Sequence, residues 1–193
     1  METDYNIILE HAKEGTAVPD DVLKRIRAQL VSGRFDEDPY TLLHILGCAR
    51  DEQSLPIVRR YVDFDTGNAE SDAMLRRIAL QVIGRMWQRS EAFELAIHKA
   101  FEDSSPDVRA VAATLIGFLG RRFPQLRTRS AQALLKGLSK KKELGDYTWE
   151  SFYYGLLELL DVPPNEWPSP ASTVTDAQVR EDIVEKARSI AGS

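Results

Sequence analysis

The stretch Asp103-Ser-Ser-Pro-Asp-Val-Arg-Ala-Val-Ala-Ala-Thr-Leu-Ile-Gly117 rewrites a pattern that stands earlier in the chain as Glu70-Ser-Asp-Ala-Met-Leu-Arg-Arg-Ile-Ala-Leu-Gln-Val-Ile-Gly84. Laid together without a gap, the two place an acid at Glu70 and Asp103 and Leu75-Arg76 over Val108-Arg109. Further on, Ala79 falls over Ala112, Val82-Ile83 over Leu115-Ile116, and Gly84 over Gly117. A third copy, Leu42-Leu43-His44-Ile45-Leu46-Gly47, overlays the end of the second. The glycines are 37 and then 33 residues apart, a period characteristic of arrays of stacked helix pairs.

The 193 residues, 43% hydrophobic and 28% charged, have enough apolar surface for a core and the composition of an ordinary soluble protein. The core of an array grows with repeat number, so one continuous domain, 1–193, is expected. The single cysteine, Cys48, excludes an internal disulfide framework and suits a reducing compartment. With no basic leader in METDYNIILEHAKEG and no apolar run of membrane-spanning length, a cytoplasmic location is expected.

Charge is unevenly spread. Residues 1–75 hold 15 Asp/Glu against 8 Lys/Arg, residues 76–142 hold 5 against 14, and residues 143–193 hold 10 against 3. A basic middle therefore lies between acidic ends, an arrangement that steers association with charged partners.

Helical periodicity runs almost throughout, and no alternating strand pattern competes with it. N-terminal helices occupy residues 1–33: one over Asp4–Lys13, and one over Pro19–Ser32 with Val22, Ile26 and Leu30 as a stripe and Gly33 as the stop. Three helix-pair repeats follow over 34–139. Pro39 opens the first behind Asp38, and its partner runs from Ser54 to Val62. The second pair is Ser71–Gln88 with Ser90–Phe101, and the third is Ser105–Arg121 with Pro124–Ser139. An aromatic-rich helix, Tyr147–Leu160, lies within 140–161, and a connector with four prolines fills 162–174. Thr175 and Gln178 have capping-box spacing, which opens a final capping helix over 175–193.

The run from Asp103 to Gly117 closely resembles the first helix of a HEAT repeat of the short bacterial type. The resemblance spans roughly residues 33 to 139. It implies an all-α fold: a right-handed α-α superhelix, or HEAT-like solenoid, of about ten helices with a C-terminal capping helix. It further implies an Asp–Arg interaction between neighbouring repeats, which by position falls to Asp107 and Arg109 and to Arg76. Independently, Ala79 and Ala112 admit close helix approach, and Gly84 and Gly117 suit a helix exit.

In that family the second helices line a concave face. Here they carry Arg59 and Arg60, then Glu94, His98 and Lys99, then Arg127, Arg129 and Lys136. This cationic set implies a partner protein with an acidic patch, and Trp87 beside Arg89 is expected as a rim anchor. The acidic ends around Asp36-Glu37-Asp38 and Asp63 are the converse option, meeting a basic cleft in the manner of nucleic acid.

Catalytic signals are thin. His11, His44 and His98 lie on separate helices without a second histidine or a carboxylate at ligand spacing, and His44 is expected to face solvent. No His-Glu dipeptide occurs, so the iron-binding HEAT hydroxylases are not matched. Asp146 with Trp149, Tyr153 and Tyr154 is the one group that suits a flipped base, as in HEAT-like DNA glycosylases. Against nucleic acid stands the acidic balance, with no dense Lys/Arg lining to neutralise phosphates. The sequence is therefore read as a non-enzymatic protein-protein interaction module without cofactor or metal. Its size and acidity suit an immunity protein or antitoxin that blocks a cognate toxin. A nucleic-acid-binding or glycosylase-like HEAT protein is the alternative.

Overall fold

The computed structural model describes residues 4–169, 174–175 and 178–192. Every regular element among them is helical, as the periodicity predicts, and eleven are α-helices. The chain forms two compact units, Met1–Arg89 and Ser90–Ser193.

The first unit contains α1 (Tyr5–Lys13), α2 (Asp20–Ser32), α3 (Pro39–Cys48), α4 (Leu55–Tyr61) and α5 (Ala69–Gln81). Its caps follow from local chemistry. Asp4 accepts the N–H groups of Asn6 and Ile7, and Asp38 accepts that of Tyr40 with Pro39 at the first helical position. Gly33 ends α2 at φ 68, a left-handed conformation that glycine adopts without cost. The centre is α3, whose Leu42, Leu43, Ile45 and Leu46 are fully buried beneath α1, α2 and α5. Buried Gln29 ties three segments together: its amide donates to the Tyr5 hydroxyl at 3.0 Å and accepts the Asp36 N–H at 2.8 Å.

The second unit contains α6 (Ala92–Glu102), α7 (Pro106–Arg122), α8 (Arg127–Leu138), the single turn α9 (Lys141–Leu144), α10 (Asp146–Leu159) and α11 (Glu181–Ala191). Here α7 is central, with α6, α8 and α10 packed around it. Ala79 in α5 and Ala112 in α7 are both 0% exposed, so the two copies of the repeated helix bury their alanine equally deeply. Their arginines match as well. Arg76 donates to the Phe64 carbonyl at 3.0 Å and Arg109 to the Asp103 carbonyl at 2.8 Å. Each guanidinium thus clamps the loop that precedes its own helix.

The repeat glycines do not serve as helix exits. Gly84 lies inside a π-helical segment, Val82–Met86, that continues α5, and Gly117 lies well inside α7. Both Gly47 and Gly117 are positions of close approach. A β-carbon on Gly47 would collide with the Met86 sulfur and stand 2.8 Å from a methyl of Val82. One on Gly117 would collide with the Gly155 carbonyl group, 2.7 Å from its carbon.

The last helix begins later than the capping-box spacing predicts. Gln178 does accept the Thr175 N–H at 2.9 Å, but this closes a local turn, and α11 starts at Glu181. It packs on α8 and α10 with Ile183 and Ala187 almost wholly buried. Its entry is held by the Arg180 N–H, which donates to the Tyr153 hydroxyl at 3.1 Å. Within the connector, Pro164–Glu166 forms a 3-10 turn. Trp167 there donates to the Val162 carbonyl at 2.8 Å and stacks on Tyr154. Pro170 to Thr173, and Asp176 and Ala177, lie outside the described residues.

Candidate protein-binding surfaces

In the second unit α6 and α8 are joined along an exposed seam by side chains of opposite character. Arg129 grips Glu94 with both guanidinium nitrogens, at 2.6 and 3.0 Å, and its charge lies 5.2 Å from the centre of the Phe93 ring. Two helical turns further on, the Lys136 ammonium lies 5.1 Å from the centre of the Phe101 ring. Phe101 in turn packs against Phe152, so the lysine stands on a ring that reaches the core. Cations over aromatic faces gain electrostatically from the ring quadrupole. His98, one turn beyond Glu94 on α6, is exposed beside this row. Of the expected binding set, Arg129, Lys136 and His98 therefore share one seam.

The other members are placed differently. Arg127 is exposed, but it lines a hollow of about 320 Å³ with Leu160, Val162, Ile183 and Lys186. A step of two residues carries it well round α8 from Arg129, away from α6. Lys99 is a correction: it is 8% exposed and paired with buried Asp103, four residues on, at 3.2 Å. Its long alkyl stem lies in the core, and the carboxylate offsets the loss of water around its charge. Trp87 is also a correction. It is 5% exposed, and its indole N–H donates to the Leu46 carbonyl at 3.3 Å, so it is a core residue and not a rim anchor. Neighbouring Arg89 pairs with Glu52 at 2.8 Å.

The aromatic group on α10 is largely, but not wholly, internal. Trp149 and Tyr153 are buried, with the indole donating to the Leu138 carbonyl at 2.9 Å. Their rings fill the second unit's core, while Tyr154 is half-buried against Trp167 and Tyr147 is 56% exposed.

Arg59 and Arg60 belong to the first unit, on the exposed side of α4. Arg60 lines a hollow of about 510 Å³ that the repeat pattern does not foreshadow. Its walls include Val31, Phe35, Tyr61 and Phe64, and Asp63 and Asp65 stand with them. Val31 is 53% exposed and Phe35 37%, unusually open for large apolar side chains. The visible signal is Phe35 itself, an aromatic residue inside the charged loop Arg34-Phe-Asp-Glu-Asp38.

His44 departs from its expected solvent-facing position. It is half-buried on α3, edge-on to Tyr40 at 5.9 Å. Burial, and then the nearby Lys13 ammonium, hold its imidazole below the ordinary 6.5. Cys48, one turn on, is half-buried too, and burial pushes its thiol up, which favours the unreactive protonated form. Among the described residues no group of three or more His, Cys, Asp or Glu is arranged to hold a metal ion. Among the same residues no helix is long and apolar enough to cross a membrane.

No protein-family model matches the chain, and no curated protein or solved structure matches it significantly.

Proposed function

We propose that this chain is a non-catalytic protein-binding module and that the α6–α8 seam is a contact surface for an acidic segment of its partner. The reading rests on the two braced cations, Arg129 and Lys136, held two turns apart over rings of α6. Side chains ordered before binding lose less entropy in the complex, so their charge is used efficiently. Arg129 is positioned by its bidentate pair with Glu94, so an acidic partner side chain would have to exchange with or share that carboxylate. The stacked superhelix, and the role of immunity protein or antitoxin suggested by size, acidity and the HEAT resemblance, belong to the same proposal.

The test is co-purification with the product of the neighbouring gene, together with rescue of growth when that product is toxic. The variant Arg129→Glu with Lys136→Glu should keep its helical circular dichroism, since exposed charges contribute little to stability. It should lose capture and rescue, with association slowed most at low salt. Binding to duplex DNA that falls steeply with added salt would instead support the nucleic-acid reading and overturn this one. Undiminished capture by the double variant would place the interface elsewhere.

A further inference from the structure

We infer that the hollow of the first unit receives an apolar side chain, best an aromatic one, from a partner segment in which lysine or arginine flanks that residue. The site is separate from the α6–α8 seam and has the opposite sign.

Its floor is fixed before anything enters. Tyr61 and Phe64 stack with ring centres 5.0 Å apart, and the Tyr61 hydroxyl donates to the Leu30 carbonyl at 2.9 Å. The loop beyond is pinned at several points. Arg76 donates to the Phe64 carbonyl at 3.0 Å, and buried Asp72 accepts both the N–H and the hydroxyl of Thr66 at 2.8 Å. A hollow with a rigid aromatic floor gives an incoming ring contact area at small entropic cost.

The walls supply the reason for an apolar occupant. Val31 and Phe35 stand 53% and 37% exposed at the hollow, so folding of the first unit leaves their surface in water. Exposed apolar surface gathered around a concavity marks interaction sites more often than surface that is scattered. The volume of about 510 Å³ falls inside the usual range for ligand-sized clefts, roughly 300–1,000 Å³.

The rim supplies the charge. Asp63 and Asp65 line the hollow, and Asp36, Glu37 and Asp38 follow Phe35 directly in the chain. Against these five carboxylates stand three guanidiniums, Arg34, Arg60 and the Arg76 group held on the Phe64 carbonyl. The balance attracts basic flanks and repels phosphate backbones and acidic peptides.

Fluorescence anisotropy of a dye-labelled peptide with the core Lys-Arg-Phe-Arg-Lys, titrated with the full chain, tests the assignment. The peptide should bind. Replacing its phenylalanine by glycine, or its basic residues by glutamate, should each weaken binding about tenfold or more, as expected for central anchors. The chain variants Phe35→Ala and Asp63→Asn with Asp65→Asn should lose a similar factor. Arg129→Glu with Lys136→Glu should bind the peptide as the unaltered chain does, which separates this surface from the seam. No binding overturns the inference, and so do equal binding of all three peptides and unchanged binding by Phe35→Ala. A drop in particle mass on Phe35→Ala, seen by light scattering, also overturns it by assigning the hollow to a second copy of this chain.

Discussion

Gly117 of α7 and Gly155 of α10 lie so close that a β-carbon on the first would stand 2.7 Å from the carbonyl carbon of the second. The obstacle is backbone and not the end of a flexible side chain, so neither helix can accommodate it without moving. Alanine favours a helix over glycine by about 1 kcal/mol, and overpacking a core costs about 1–3 kcal/mol. The overpacking cost should win here. Gly117→Ala is expected to be less stable by about 1–3 kcal/mol in urea unfolding. Gly192→Ala serves as the control, since the nearest atom to its β-carbon, the Arg188 carbonyl oxygen, is an ordinary 3.5 Å away.

Trp87 distinguishes a structural role from a recognition role by stability alone. Its ring is buried in the first unit, and its N–H satisfies the Leu46 carbonyl. Trp87→Phe removes that donor and part of the ring volume, so a loss of about 1–3 kcal/mol is expected. An unchanged melting temperature would mean that the indole is not the core anchor described above.

His44 predicts a pH effect with a definite sign. Its folded-state pKa lies below 6.5, first because of burial and then because of Lys13, while Glu10 opposes the shift. The unfolded chain therefore takes up a proton that the folded chain resists. Stability should fall as pH drops through about 6.5 and be unaffected by this residue well above it. Thermal melts at about pH 7.5 and about pH 5.5 should show a smaller drop for His44→Gln than for the unaltered chain. An equal drop in both would remove His44 from the acid sensitivity.

Much of the local structure is legible in the residues. Asp4, Gly33 and Pro39 mark helix starts and stops where the spacing places them, because capping and proline geometry act over a few residues. The paired alanines at 79 and 112 and the paired arginines at 76 and 109 likewise reflect a repeated local sequence. The binding set is less legible. Lys99 and Trp87 carry residue types expected of a binding face, but a single turn of helix or loop decides whether such a side chain meets water or core. A charge with an acid four residues away has a local partner, and Lys99–Asp103 uses it in the interior.

Sequence alone thus determined what depends on neighbours along the chain: the all-helical character, the helix starts behind Asp4 and Asp38, the stop at Gly33, and the repeat with its deep alanines. Tertiary structure decided what depends on residues far apart in number. It made Gly117 a contact for Gly155, and it turned Trp149 and Tyr153 of α10 inward. It also divided the expected cationic set between the α6–α8 seam, the hollow beside α11 and the first unit. Periodicity assigns a side chain to a face of its own helix, whereas the identity of whatever covers that face is set by packing, to which the local pattern is blind.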